Sequence, residues 1–142
     1  MPDLLPIAIA KQIAARAAEA AAGIPCAMSI VIVDSGAHLM YLERMDGALL
    51  ASPEVASRKA RSAVLFNRPT KAFEDALAGG RMAILALPDA MPVEGGIPLM
   101  RDGRLAGAIG VSGGTAQQDG MVATAAAEAF AALTRTATPE NL

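Results

Sequence analysis

Two pairs of apolar segments in this chain are joined by links so short that each pair is expected to form an antiparallel hairpin. The first pair is residues 26–34 and 38–45, and the second pair is residues 97–101 and 104–111. In the first link, Asp34-Ser35-Gly36 predicts a tight turn with Gly36 at positive φ. In the second link, Asp102-Gly103 is typical of a two-residue hairpin turn. Because parallel strands need a much longer crossover, the sequence predicts a mainly antiparallel sheet.

The first of these strands is predicted to lie in the middle of the sheet. Its β-branched run, Ile30–Val33, is apolar on both faces of an extended chain, which is typical of a strand covered on both sides. Residues 81–96 show no clear period. Pro88, Pro92 and the Gly95-Gly96 pair favour a loop there, with one short strand at most.

A helix is predicted before the first strand. Residues 4–22 repeat apolar or small side chains at spacings of three and four, and Gly23 and Pro25 then end the helix. Its buried face is expected to consist of Ile7, Ala10, Ala14, Ala17 and Ala21.

Two further helices are predicted between the strand pairs. The first begins at Ser52, which is the expected N-cap, and runs to about Phe66. The second is shorter, with Thr70 as its cap, and runs to about Leu77 before a Gly-Gly pair ends it.

The last helix has the clearest start signal. Thr115 and Gln118 form a capping box, and the buried stripe is expected to be Val122, Ala125, Ala129 and Leu133. The order of elements predicts an α/β fold of the α+β kind, with a central sheet flanked by helices. A length of 142 residues fits a single domain, 1–142, with a core over about 3–133 and a polar tail over 134–142.

The apolar content is high, but it comes from small and aliphatic side chains. Hydrophobic residues make up 54% of the chain and aromatic residues only 3%, so each buried residue removes little surface from water. We therefore expect a homo-oligomer, in which subunit contacts add to the burial. The net charge of −2 offers no basic field for a nucleic acid. The first residues lack the basic region and the uninterrupted apolar run of a secretory signal, and no stretch has the apolar length of a membrane span. We therefore expect no membrane association and a cytoplasmic protein.

Seven short motifs follow one another along the chain. They are Gly23-Ile24-Pro25, Ile32–Gly36, Arg44–Ala48, Ser57–Ala60, Glu94–Pro98, Gly107–Gly114 and Gln118-Asp119. Together they resemble the GlcG/HbpS family over roughly residues 3–133. The resemblance implies a profilin-like fold with a central antiparallel sheet, and assembly into homo-oligomers. The chain differs from the usual family pattern just before residue 94, where it is short and Pro-rich and many relatives carry another strand.

The resemblance also implies a function. The family includes haem-binding proteins and a domain fused to corrinoid adenosyltransferases, so the expected function is binding of a small ligand, with haem or a corrinoid as candidates. Two alternatives stay open from the residues: a metal-independent catabolic enzyme, such as a lyase or isomerase acting on a small organic acid, and an oligomeric accessory or regulatory protein. The natural cofactor is not identified by the sequence.

Few residues are suited to hold a metal or a haem iron. His38 is the one imidazole and the candidate axial ligand, although a histidine just after a turn is also often simply solvated. Cys26 is the single cysteine, so no disulfide forms within the chain. No cluster of His, Cys and carboxylates has the spacing of a metal site.

Five charged residues of the motifs stand in otherwise apolar or Gly-rich surroundings. They are Arg44, Asp46, Lys59, Glu94 and Asp119. We expect Lys59, Glu94 and Asp119 to be catalytic residues that line one cleft, where the cation holds a substrate carboxylate and an acid transfers a proton. Arg44 and Asp46 are expected ligand-binding residues, and Arg44 is expected to line the same cleft, at a subunit interface. The alternative is a set of structural ion pairs, with Arg44 bound to Asp46 or to Asp34.

The glycines near these charges also have two interpretations. Gly95 and Gly96 provide backbone that a ligand can approach closely. The turn Ser112-Gly113-Gly114 precedes the last helix, where backbone N–H groups are able to bind an anion. All five are expected ligand-binding residues, but the same glycines also suit tight packing and a sharp turn from strand to helix.

Overall fold

The structure is a computed structural model, and it describes residues 5–135. The helices and strands are α1 (Ile7–Ala22), β1 (Ser29–Asp34), β2 (Leu39–Arg44), α2 (Ser52–Phe66), α3 (Thr70–Ala78), a 3₁₀ helix (Met82–Ala86), β3 (Gly96–Arg101), β4 (Arg104–Ser112) and α4 (Ala116–Leu133). The predicted order of elements and the α+β class are confirmed. The predicted polar tail lies, from residue 136 on, outside the described residues.

The four strands form one antiparallel sheet in the order β2-β1-β4-β3. The strand β1 lies inside the sheet, as its apolar run predicts, and pairs with β2 on one side and β4 on the other. The segment between residues 81 and 96 contains the 3₁₀ helix and a loop, and β3 begins at Gly96. No helix in residues 5–135 is long and apolar enough to cross a membrane.

The sheet has a separate core on each face. Helices α1 and α4 cover one face, where Ile30, Ile32, Ile109 and Val111 are fully buried. Helix α2 covers the other face, where Val31, Val33 and Ala108 pack against the alanines of the helix. Because β1 contributes alternate residues to both cores, its continuous apolar sequence is explained.

Two glycines allow α2 to lie directly on the sheet. A Cβ atom at Gly110 would overlap the carbonyl oxygen of Ala56, and a Cβ atom at Gly96 would overlap the carbonyl oxygen of Lys59. The backbone of α2 therefore approaches the strands more closely than an ordinary layer of side chains permits. This close approach buries the whole inner side of α2, including the side chain of Lys59.

The two predicted turns have different outcomes. Asp102 and Gly103 both have positive φ, 52° and 76°, so the second hairpin has the predicted geometry. In the first link the positive φ lies at Ala37, with 66°, and the prediction for Gly36 is wrong. The cause is the side chain of Asp34, whose Oδ1 accepts hydrogen bonds from the backbone N–H groups of Gly36 and His38 and fixes the turn.

The predicted helix caps also differ in outcome. The capping box of Thr115 and Gln118 is confirmed. Ser52 is not an N-cap, because its hydroxyl donates to the carbonyl oxygen of Leu49 and shares a hydrogen bond with the hydroxyl of Ser29. Thr70 is not a cap either, since its Oγ1 accepts the N–H of Gly96 at 2.9 Å. Both side chains are buried and serve tertiary contacts.

The buried faces of the outer helices are only partly as predicted. In α1 the four predicted alanines are buried, and Ile13 is buried with them, whereas the predicted Ile7 is exposed. In α4 the fully buried apolar residues include Ala123, Ala126 and Phe130, whereas the predicted Leu133 is exposed. Alanine occupies both faces of these helices and so gives a weak helical period.

Candidate functional site

The most deeply buried charges of the described chain form one ion pair. Lys59 is 1% exposed, and its Nζ donates hydrogen bonds to Oδ2 of Asp119 at 3.0 Å and to the carbonyl oxygen of Val111 at 2.9 Å. The other oxygen of Asp119, Oδ1, accepts the N–H of Gly114 at 2.9 Å. The pair therefore connects α2, the end of β4 and the first turn of α4.

Gly95 makes room for this ion pair. Its φ is +132°, and a Cβ atom on it would lie 2.9 Å from Nζ of Lys59 and 2.6 Å from the carbonyl oxygen of Val111. Gly96 faces the backbone of Lys59 in the same way. Both glycines are buried against protein atoms, so the observed contacts favour the close-packing interpretation.

Glu94 lies close to the pair but faces another space. Its carboxylate packs against Gly120, the residue after Asp119, and its backbone N–H donates to Oε1 of Glu74 at 3.1 Å. It borders an open groove of about 420 Å³ along the outer side of α4, together with Gln117, Gly120, Met121, Thr124, Ala125 and Glu128. Lys59 and Asp119 do not line this groove. The three residues are neighbours, and a catalytic role for them stays a prediction.

The hydrogen bonds of Lys59 and Asp119 are typical of a structural ion pair. Both oxygens of Asp119 and two of the three N–H donors of Lys59 are used by protein groups. A charge buried in this way is tolerated because its partner and its hydrogen bonds replace the lost water. A ligand would reach Lys59 only after the packing around Gly95 opened.

In the turn before α4, the backbone N–H groups of Gly114 and Thr115 are engaged within the protein. The N–H of Gly114 is bound by Asp119, and the N–H groups of Thr115 and Gln118 are bound within the capping box. Gly113 has a φ of +137°, and a Cβ atom there would lie 2.5 Å from the carbonyl oxygen of Ala27. These contacts favour a packed turn. Anion binding by Ser112, Gly113 and Gly114 remains a prediction.

Arg44 and Asp46 lie on the surface, at and just beyond the end of β2. Within residues 5–135, Arg44 forms no ion pair with Asp46 or Asp34, so the predicted alternative of a structural pair there is wrong. The carboxylate of Asp34 is instead used by the turn and by His38. Ligand binding by Arg44 and Asp46 stays a prediction.

His38 projects from the turn between β1 and β2. Its side chain is 81% exposed, and its Nδ1 lies 3.3 Å from Oδ1 of Asp34. This contact engages one ring nitrogen and leaves Nε2 without a hydrogen bond in the described part of the chain. A histidine that binds a metal through one nitrogen usually has its other nitrogen held by a carboxylate or carbonyl in this manner. Cys26 is half-buried, and its thiol faces Oε1 of Gln118 at 3.7 Å.

A groove that the sequence did not reveal lies between α2 and the outer part of the sheet. Its volume is about 350 Å³, and its floor contains the buried side chains of Val31 and Val33. Ala37 and Leu39, the two neighbours of His38, complete its apolar side. We call this space the α2 groove; its polar side is lined by Glu54, Ser57, Arg58, Arg61 and Asp89.

Two exposed ion pairs stand on the polar side of the α2 groove. Nε of Arg58 lies 2.9 Å from Oε1 of Glu54, and Nε of Arg61 lies 3.2 Å from Oδ1 of Asp89. Both arginines belong to α2. Their spacing of three residues was visible, but no sequence signal indicated that Asp89 and the floor of β1 would meet them.

Comparison with known proteins decides the family. A family model described as "Haem degrading protein HbpS-like" matches residues 5–128. The chain belongs to the HbpS-like family. The resemblance to GlcG/HbpS proteins that the seven motifs indicated is thereby confirmed.

Individual HbpS-like relatives agree with this assignment. Protein GlcG of Escherichia coli K12 is 40% identical over 85 residues, which are 60% of this chain and 63% of GlcG, so the match spans less than two thirds of that relative. Protein ORFY of Klebsiella pneumoniae has a TM-score of 0.85 at 29% identity, covering 93% of this chain and 94% of ORFY. A PduOC:haem complex has a TM-score of 0.79 at 31% identity, covering 88% and 94%.

Proposed function

We propose that this HbpS-like chain binds a small organic ligand in the α2 groove, and that haem is the ligand. The observation that carries the proposal is that an apolar floor of Val31 and Val33 and the guanidinium groups of Arg58 and Arg61 line the same groove. Ala37 and Leu39 also line the groove; His38 stands between them in the sequence but is not one of the lining residues, and its ring contacts Asp34. Small-molecule sites are usually concave and mostly apolar, with a few polar groups that fix the orientation of the ligand.

The residues of the groove suit the parts of a haem. Val31, Val33 and Leu39 would contact the macrocycle. Ligation of the iron by His38, which is next to the groove in sequence and contacts Asp34, is a separate part of the proposal, and the His38→Ala variant tests it. The groove is open to solvent and has about 350 Å³, so it would receive one edge of the ring. The family description names haem degradation, and one structural relative is a haem complex, which supports the choice of this ligand.

A corrinoid is the second ligand class suggested by the family resemblance, and the α2 groove favours haem over it. The polar side of the groove carries Arg58 and Arg61, and guanidinium groups pair best with carboxylates. Haem carries two propionate groups, whereas the peripheral groups of natural corrinoids are mainly amides. The binding partner that matches the charge of the groove is therefore the haem.

Haem titration followed by the Soret band tests the proposal. Wild type should give a saturable Soret shift, and His38→Ala should weaken binding by about tenfold or more, because the iron loses its protein ligand. Leu39→Asp should weaken binding as well, since it places a charge on the apolar side. Arg16→Ala, a change of an exposed residue on α1, serves as the matched control and should bind like wild type.

The proposal fails if wild type produces no saturable Soret shift at micromolar concentration. It also fails if wild type, His38→Ala and Leu39→Asp bind with the same affinity, because the haem then lies elsewhere. Mass spectrometry of a ligand retained through purification gives an independent identification of the natural ligand.

A further inference from the structure

We propose that Arg58 and Arg61 recognise carboxylate groups of the ligand, and that Glu54 and Asp89 compete with the ligand for these two arginines. The ligand class is thus an amphipathic organic carboxylate, with its apolar body on the floor of the α2 groove. This inference rests on the proposed function, because it assumes that the groove is where a ligand binds.

Arg58 and Arg61 face the α2 groove from the same helix. Residues three apart on a helix are neighbours on one face, and both guanidinium groups line the α2 groove. One side of the groove is charged, where the two arginines lie, and its floor is apolar, where the buried valines of β1 lie. A molecule with a carboxylate at one end and an apolar body at the other matches that change.

Without a ligand, each arginine forms an exposed ion pair with an acid of the groove. The side chains of Arg58 and Glu54 are 67% and 70% exposed, and those of Arg61 and Asp89 are about half exposed. Exposed pairs of this kind contribute little to stability, so their partners exchange readily. Each of these two contacts uses the Nε of the arginine, and a guanidinium has further N–H donors that a second carboxylate accepts.

The backbone of Asp89 supports a role in the site. Asp89 has a φ of +66°, a conformation that non-glycine residues adopt uncommonly, and it lies in a loop tied to α2 by the hydrogen bond from the N–H of Met91 to Oγ of Ser62. The loop therefore holds the carboxylate of Asp89 beside Arg61 at the edge of the groove. An acid held there neutralises the arginine until a ligand carboxylate replaces it.

The consequence is a pair of opposite effects on affinity. Removing the arginines removes the groups that bind the ligand carboxylate, so affinity falls. Removing the two acids frees the arginines, so affinity rises. A groove that binds only through its apolar floor would show neither effect.

Metal-free protoporphyrin IX and its dimethyl ester are the first pair of probes, measured by porphyrin fluorescence. They differ in the two carboxylates and need no axial ligand, so His38 does not decide the result. For the acid, the variant Arg58→Gln/Arg61→Gln should bind about tenfold or more weakly, and Glu54→Gln/Asp89→Asn should bind severalfold more tightly. For the ester, both variants should bind like wild type. Asparagine at residue 89 tolerates the positive φ, and Arg16→Gln on α1 is the matched control.

A second pair of probes distinguishes porphyrin carboxylates from smaller ones. Equilibrium dialysis compares 2-naphthoate with 2-naphthamide, which differ in charge. If 2-naphthoate alone follows the same pattern of variants, the site takes small aryl carboxylates; if protoporphyrin IX alone does, it takes the propionate-bearing edge of a macrocycle. Either pattern supports recognition of a carboxylate by Arg58 and Arg61.

The inference is overturned if acid and ester lose affinity equally in the arginine variant, or if the variant without the two acids binds no more tightly than wild type. Leu39→Asp separates this failure from failure of the proposed function. If Leu39→Asp abolishes binding of acid and ester while the arginine variant changes neither, the groove holds the ligand but the arginines do not select carboxylates. If no probe binds wild type, both proposals are wrong.

Discussion

Arg58 and Lys59 are adjacent on α2 and have opposite surroundings. The side chain of Arg58 is 67% exposed at the α2 groove, whereas that of Lys59 is 1% exposed between the helix and the sheet. One step along a helix turns the side chain by about 100°, from the outer face to the inner one. The position of a cation on α2 therefore determines whether it is available to a ligand, as Arg58 is, or used in packing, as Lys59 is.

The largest expected effect is on the free energy of unfolding of a variant at residue 59. Lys59→Met leaves Asp119 buried without its cation, which should lower the free energy of unfolding by about 3–5 kcal/mol. Arg58→Met removes only an exposed pair and should change it by under about 1 kcal/mol. Urea denaturation of both variants measures the difference.

A double variant sharpens this prediction. Lys59→Met/Asp119→Leu removes both buried charges, so it should recover a large part of the stability lost in Lys59→Met. If Lys59→Met unfolds at the same urea concentration as wild type, the pair is not structural, and the catalytic interpretation of Lys59 and Asp119 gains weight.

The next effect concerns the close approach of α2 to the sheet. Gly110→Ala would place a methyl group against the carbonyl oxygen of Ala56, so we expect a loss of about 1–3 kcal/mol in the free energy of unfolding. Gly23→Ala is the control, because a Cβ atom there meets nothing nearer than 3.7 Å at a negative φ. Equal stability of the two variants in thermal unfolding would contradict the packing described for α2.

The smallest expected effect is on the pKa of Tyr41, which lies on the edge strand β2. Its hydroxyl donates to Oε1 of Glu43 at 2.7 Å, and this hydrogen bond, with partial burial and the charge of Glu43, raises the pKa of Tyr41 above 10.0. A raised pKa stabilises the fold at pH values below the unfolded pKa, and that stabilisation is lost as pH rises through the folded pKa. The chain has one Tyr and no Trp, so ultraviolet absorbance follows this residue alone.

Glu43→Gln tests the cause of the shift. Removing the negative charge should lower the pKa of Tyr41 toward its ordinary value, with little change in stability at neutral pH. An unchanged titration curve would mean that burial, and not Glu43, raises the pKa.

The sequence predicted the sheet well because local signals determined it. The Asp102-Gly103 turn and the β-branched run of β1 need no distant partner to be recognised. Ser52 and Thr70 were misjudged as caps because distant backbone and side-chain groups use their hydroxyls in the folded chain. The stripe of α4 was misplaced because alanine packs equally well on either face.

The candidate site was less predictable for the same physical reason. The apolar surroundings of Lys59 were visible in the sequence, but its hydrogen bond to Asp119 joins residues 60 positions apart. The α2 groove combines a strand, a helix and a loop that only the folded chain brings together. Glycines in the motifs were visible, but whether they face a ligand or the backbone of α2 depends on the packing of the helix.

The contrast between the exposed Arg58 and the buried Lys59 is tested most directly by the affinity for protoporphyrin IX. The affinity is measured per folded molecule in Lys59→Met and in Arg58→Met. The measurement is made at a low temperature where Lys59→Met remains folded, and the folded fraction is determined separately. We expect wild-type affinity for Lys59→Met at strongly reduced stability, and weaker binding for Arg58→Met at nearly unchanged stability. Lost binding in Lys59→Met with a wild-type melting temperature, together with unaltered binding in Arg58→Met, would contradict this expectation.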